Sequence, residues 1–301
     1  LTGAKKNRKG AGQAMSIFMS HNNYGKSSVR VAKVARHPDR HDFKEITVDI
    51  QFEGDFESVY TIGDNSKVLP TDTMKNTVYA LAKDHPLGSI EEFGISLGGH
   101  FLKNNPQASR VTIALIERLW QRILVSQKNG DAVAHPHAFT GGGSEKWTSV
   151  VTLSRDAIAV ESGLKNLLIL KTTDSGFSNF LRDRFTTLKE TGDRIFATDL
   201  LASWRYQTHE AAFESCRQII RKAIIETFAR HHSLSVQHTL YACGRAALEA
   251  RPEVAEIRLA MPNKHFLPVD LKPFGMENQN EIFVPTDEPH GLIEATLKRE
   301  G

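Results

Sequence analysis

Hydrophobic and polar positions alternate along this chain with two different periods, and the period changes in a fixed order. Val29 and Val31 flank Arg30, and Ile46, Val48, Ile50 and Phe52 alternate strictly with Thr47, Asp49, Gln51 and Glu53. A period of two, with one apolar and one wet face, predicts a half-buried antiparallel hairpin. His37-Pro38-Asp39 supplies its turn. The period then lengthens. Met74, Val78 and Leu81 fall on one face of a helix that Thr71 is placed to cap, with Asp72 in the first turn. Ser89-x-x-Glu92 is a capping box for a second helix, with Ile90, Phe93, Leu97 and Phe101 as its inner stripe. Asn104-Asn105-Pro106 ends it, and Val111, Ile113 and Leu115 return to strand spacing.

The second half follows the same order. Ala157–Val160 and Leu167–Leu170 read as two strands around Ser162-Gly163, and Thr172 to about His209 reads as an insertion. Phe213, Cys216, Ile220, Ala223 and Ile224 mark one helix, broken by His231-His232-Ser233. Val236, Leu240, Cys243 and Ala247 mark another, ended by Arg251-Pro252. Ala255, Ile257, Leu259 and Met261 then alternate with Glu256 and Arg258 as a strand. Each half thus reads strand-strand-helix-helix-strand-strand. Helices grouped between hairpins predict an α+β architecture with antiparallel sheets, not a doubly wound parallel sheet. The expected organisation is a basic tail over residues 1–20, a first domain over 21–155 and a second over 156–301. Short antiparallel sheets leave open edges, and closure into a multi-subunit barrel removes them.

Composition narrows the function. Of 301 residues, 40% are hydrophobic and 24% charged, the profile of a globular chain with a full core. A net charge of +3 does not demand nucleic acid and mildly favours a small anion. Lys5-Lys6-Asn7-Arg8-Lys9 is basic but lacks the apolar stretch of a signal peptide. No apolar run approaches the roughly 18 residues of a membrane span. Cys216 and Cys243 lie on apolar stripes outside any Cys-x-x-Cys pair, so buried thiols in a reducing compartment are expected. Gly-x-Gly-x-x-Gly and Gly-x-Ser-x-Gly are absent. Gly141-Gly142-Gly143 reads as a flexible loop, and His135-Pro136-His137 as structural loop histidines without a third metal ligand.

The remaining polar motifs each sit beside an element end: Tyr24-Gly25-Lys26, Thr71-Asp72, Phe177 with Arg194, Val236-Gln237 and Asn263-Lys264-His265. The longest continuous stretch runs from Leu170-Lys171-Thr172-Thr173-Asp174-Ser175-Gly176-Phe177 through Phe180-Leu181-Arg182-Asp183 and Phe185-Thr186-Thr187-Leu188 to Asp193-Arg194. In this order the motifs resemble those of urate oxidases (uricases), over about residues 22 to 298. The resemblance implies two tandem tunnelling-fold domains, a homotetramer around a tunnel, and oxidation of urate by dioxygen and water without a cofactor. It implies that Phe177 stacks on the purine, while Arg194 and Gln237 grip its amide edge beside Val236. An aromatic face, a planar fork and a donor–acceptor amide suit a flat anionic heterocycle. Asn263 would face the dioxygen or water position. Lys26, Thr71 and His265 would move protons, and Thr71 and Asp72 would also bind the substrate. In the family, Lys and Thr come from one subunit and the other residues from its neighbour.

Two rival readings follow from the same residues. A purine- or pterin-processing enzyme of the same fold would share the grip, but a zinc-dependent one would want Cys/His ligands. A tunnel-forming assembly protein would not need Lys26, Thr71 and His265 together. The Lys298-Arg299-Glu300-Gly301 ending is not the Ser-Lys-Leu peroxisomal address, so a bacterial cytoplasm is the expected location.

Overall fold

The structure, a computed structural model, describes residues 17–86, 88–128 and 130–300. The basic run Lys5–Lys9 lies outside them. Eight strands form one sheet in chain order, every neighbouring pair antiparallel. They are β1 (Tyr24–Arg36), β2 (His41–Gly54), β3 (Ala108–Ser126), β4 (Ala132–Ser154), β5 (Ile158–Lys171), β6 (Phe196–Tyr206), β7 (Val254–Pro268) and β8 (Phe283–Lys298). Between β2 and β3 lie the short α1 (Glu57–Thr61), α2 (Thr71–Asp84) and α3 (Ile90–Asn104). Between β6 and β7 lie α4 (Phe213–Arg230) and α5 (Val236–Ala250).

One face of the sheet is buried from β1 to β7 and half-buried at β8, and the register shows why. Val48 pairs with Leu115, Ile113 with Val151, Val151 with Val160, Leu164 with Ala202, Trp204 with Ile257 and Ile257 with Leu297. Cross-strand partners point to the same side. These apolar stripes therefore merge, and the inner faces of α2–α5 cover them. The expected inner residues Met74, Val78, Ile90, Phe93, Leu97 and Phe101 are all buried, as are Val236, Leu240, Cys243 and Ala247. The opposite face carries Thr47, Asp49, Gln51, Arg205 and Arg258 and is largely uncovered. The Ser89/Glu92 capping box forms in both directions. Cys216 and Cys243 are buried free thiols, and burial pushes Cys243 up to about 12.

Four sequence readings need correction. First, there are not two short sheets: β4 pairs with β5 across the halves, so one sheet runs through. Second, residues 157–170 are not a hairpin. Ser162 and Gly163 lie inside the ladder, paired with Ser149 and Thr148. A side chain at Gly163 would come within 2.6 Å of Ala202 O and Thr148 Oγ1, so glycine there serves close strand approach, not turning. The break in spacing between Leu164 and Leu167 is a bulge, with Asn166 at φ 60. The return strand is β6, inside the segment read as an insertion. Third, Gly141–Gly143 and His135–His137 belong to β4, not to loops, because β3 and β4 continue as a hairpin past the end of β2. The two imidazoles meet edge-on with centroids 4.5 Å apart, and among the described residues no group of His, Cys, Asp or Glu could hold a metal ion. Fourth, Thr71 does not cap α2. Pro70 occupies the cap position, Thr71 is the first helical residue, and no side chain caps this end. Proline presets the backbone there, so the Thr71 hydroxyl is not spent on capping.

Candidate active site

Two loops on the helix side of the sheet are knotted together by backbone hydrogen bonds. Ser233 N donates to Asp174 O at 3.0 Å, and Gly176 N donates to Ser233 O at 2.8 Å. Arg194 N donates to Ser175 O at 2.8 Å, and Phe177 and Thr191 exchange bonds of 2.8 and 3.0 Å. The first loop carries Phe177 and Arg194; the second leads into α5, where Ser235 caps by accepting from His238 N at 3.1 Å. Val236 is buried and Gln237 exposed at that N-terminus. The knot therefore fixes all four expected grip residues relative to one another. Phe180 stacks on Phe177 at 4.9 Å, and the Arg194 guanidinium lies 5.5 Å from the Phe177 ring centre.

Arg194 is electrostatically unusual. Burial draws its guanidinium below the ordinary arginine value, and among the described residues no carboxylate opposes that effect. Its Nε is buried without a hydrogen-bond partner. Polar groups taken out of water are normally paired, so this half-buried guanidinium is suited to take an anion. Ser175, whose carbonyl accepts from Arg194 N, has a buried Oγ that also lacks a partner, and so does Thr198 Oγ1 on β6. A ligand or ordered water supplies such partners.

Asn263 stands beside this knot on β7, paired with Thr198 of β6. It does not end its strand as the sequence suggested. β7 runs on to Pro268, and a register shift separates Asn263 from His265, which pairs with Thr286. Lys264, paired with Ala197, is committed to Asp287 at 2.5 Å, which raises its pKa. The clustering of Asn263, Lys264 and His265 therefore resolves into separate environments.

Lys26, Thr71 and Asp72 form a second group. Lys75 holds the Asp72 carboxyl below its usual range, and Lys26 adds a weaker pull in the same direction, which places Lys26 near Asp72. Tyr24 assembles this group. Its ring packs edge-on against Phe52 and Phe56, and its hydroxyl accepts from Leu69 N at 3.0 Å, just ahead of Thr71. Gly25 is required because a Cβ would fall 1.7 Å from Ile50 O. The two groups do not meet within one chain. β1 and β6 are five strand spacings apart in the sheet, roughly 24 Å at ~4.8 Å each. Tyr24 and Ser175 were quoted in the sequence motifs without a role of their own, and Thr198 was passed over. The signal for Thr198 was legible: it interrupts the apolar stripe Phe196, Leu200, Ala202 and Trp204.

A through-running antiparallel sheet with paired helices on one face, and an anion-seeking arginine beside an aromatic ring at its end, define an α+β tunnelling-fold protein. The uricase family model matches residues 22–152 and 160–294. The uricase of Arthrobacter globiformis is 44% identical over 285 residues, covering 95% of this chain and 91% of that one. The uricase of Dictyostelium discoideum is 40% identical, covering 92% and 96%. The crystal structure of the Arthrobacter globiformis uricase superposes with a TM-score of 0.89 over 95% of this chain and 96% of that one. Urate oxidase from Bacillus sp. TB-90, at 24% identity, shares the fold with a TM-score of 0.80 over 92% and 100%. The chain belongs to the uricase family.

Proposed function

We propose that this chain oxidises urate with dioxygen and water to 5-hydroxyisourate and hydrogen peroxide, in purine breakdown. The observation that carries this reading is Arg194: half-buried, orphaned at its buried Nε and set against the Phe177 ring. A planar anion with an amide edge satisfies all of these at once, and the exposed Gln237 amide and the α5 N-terminus extend the grip. Phe177 and Val236 would flank the ring. Lys26 accepts a proton from bound urate, and Thr71, free of capping duty, passes it on. The urate anion gives two electrons to dioxygen held opposite Asn263, forming peroxide. Water then adds at C5, with His265 in the proton relay and Asp72 beside Lys26. The urate anion is reducing enough to need no cofactor, so none is proposed.

Because Lys26 and Thr71 lie across the sheet from Arg194 and Gln237, we also propose that the site is completed by a second copy, within a homotetramer that closes the open β1 and β8 edges. The Arg155–Ala157 turn between β4 and β5 is our proposed domain boundary. Among the described residues no helix is long and apolar enough to cross a membrane; the buried thiols suit a cytoplasmic setting. The test is direct: protein freed of metal by exhaustive chelation is mixed with urate in air, following urate absorbance and peroxide together. One peroxide per urate consumed is expected. Activity that vanishes with chelator and returns with a metal would overturn the cofactor-free reading.

A further inference from the structure

Thr198 has no part in the scheme above, yet its position is hard to explain by packing. It is 0% exposed, and its hydroxyl oxygen has no hydrogen-bond partner. It stands in the stripe of β6 that faces the helices, between Phe196 and Leu200, both buried. A hydroxyl left unsatisfied there costs stability that a methyl group of the same shape would not. Its cross-strand partner is Asn263. The register is unbroken from Ala197↔Lys264 to Arg205↔Glu256, so the two side chains project to the same face. Directly paired residues have Cβ atoms about 4.5–5.5 Å apart, close enough for a hydroxyl and a carboxamide to bond after a side-chain rotation. Arg194, four residues before Thr198, belongs to the same set of unsatisfied buried groups.

We propose that Thr198 is a positioning residue for the oxidation: its hydroxyl donates to the Asn263 carboxamide oxygen in the loaded site, turning the amide NH2 toward the dioxygen or water position. A carboxamide is nearly symmetric in shape, and only a hydrogen bond decides which end faces the reactants. Thr198 acts through Asn263 and does not touch urate, so the inference rests on the proposed role of Asn263.

The experiment compares Thr198→Val, Thr198→Ser, Thr198→Ala and Asn263→Ala in the full chain. It reads kcat and KM for urate, binding of xanthine as a non-oxidised analogue, and thermal unfolding of the free protein. Thr198→Val is expected to unfold no earlier than the parent and to bind xanthine within about twofold, while kcat falls about tenfold, the scale of one lost hydrogen bond. Thr198→Ser is expected to retain most of kcat. If the valine chain does not fold, serine against alanine decides: equal losses overturn the proposal, and loss confined to alanine supports it. Parent-like turnover in Thr198→Val beside a crippled Asn263→Ala overturns the proposal alone. Parallel losses of xanthine affinity and kcat also overturn it, because they indicate a packing role. Unchanged turnover in Asn263→Ala overturns the role of Asn263 and this inference with it.

Discussion

At the scale of single residues, the arrangement separates holding from reacting. Arg194 has no counter-charge among the described residues and Gln237 is exposed at a helix N-terminus, so both are suited to grip. Arg194→Ala and Gln237→Ala are each expected to weaken xanthine binding by about 1.5–3 kcal/mol, the range for a hydrogen bond to a charged group. Titration calorimetry checks this, and unchanged affinity in both variants would place the pocket elsewhere. Lys26 lies apart from the grip and near Asp72. Lys26→Ala should therefore bind xanthine normally while kcat falls by about 10²–10⁴-fold, the usual reach of general-base assistance. Steady-state kinetics beside the binding measurement distinguishes the two roles.

At the scale of elements, the backbone that carries each residue matters as much as the residue. Lys26 sits on β1 next to Gly25, where even an alanine Cβ would meet Ile50 O at 1.7 Å. Gly25→Ala is expected to push the start of β1 off β2 and to lower kcat as Lys26→Ala does, although Lys26 is intact. Amide exchange at residues 24–26 against the rest of β1 would register the displacement. The helix that follows on the same half gives a cleaner energetic test. Ser89 and Glu92 satisfy each other's backbone donors at the start of α3. Ser89→Ala should cost about 0.5–2 kcal/mol of stability, measured by denaturant unfolding, with kinetic constants for urate unchanged.

At the scale of the molecule, a buried ion pair fastens the halves. Arg217 of α4 and Glu91 of α3 are 1% and 0% exposed and directly bonded. Arg217 also donates to Gly163 O at 2.6 Å and Thr148 O at 3.1 Å, and Ser162 donates to the same Glu91 oxygen. Arg217→Met strands the carboxylate and should cost about 3–5 kcal/mol, most of it recovered when Glu91 is also made apolar. Equal stability of the single and double variants in thermal unfolding would contradict this. The separation of Lys26 from Arg194 leads to the assembly test. Lys26→Ala and Arg194→Ala chains, each inactive, are unfolded and refolded together. Sites with neither lesion then form only if two copies share a site, so activity should return in the mixture alone. No recovery, despite confirmed mixed oligomers, would mean each site is built within one chain.

The alternation of β2 and β7, the stripes of α2–α5 and the capping box are local: each follows from side-chain period and from groups a few residues apart. The sequence by itself was therefore enough for the α+β class, the four long helices and their inner residues, and strands β1, β2 and β7. The same holds for the motif series, whose membership of the uricase family is borne out over residues 22–152 and 160–294. What failed were places where long-range pairing overrules local signals. Ser162-Gly163 and Gly141–Gly143 look like turns, yet lie within strands because neighbouring strands hold them there. Thr71 looks like a cap, but Pro70 takes that place. β6 was hidden in an apparent insertion because its partners, β5 and β7, are distant in sequence. The fusion of both halves into one sheet and the placing of Thr198 opposite Asn263 depend on register. Register is set by pairing across the whole chain, and no window of sequence contains it.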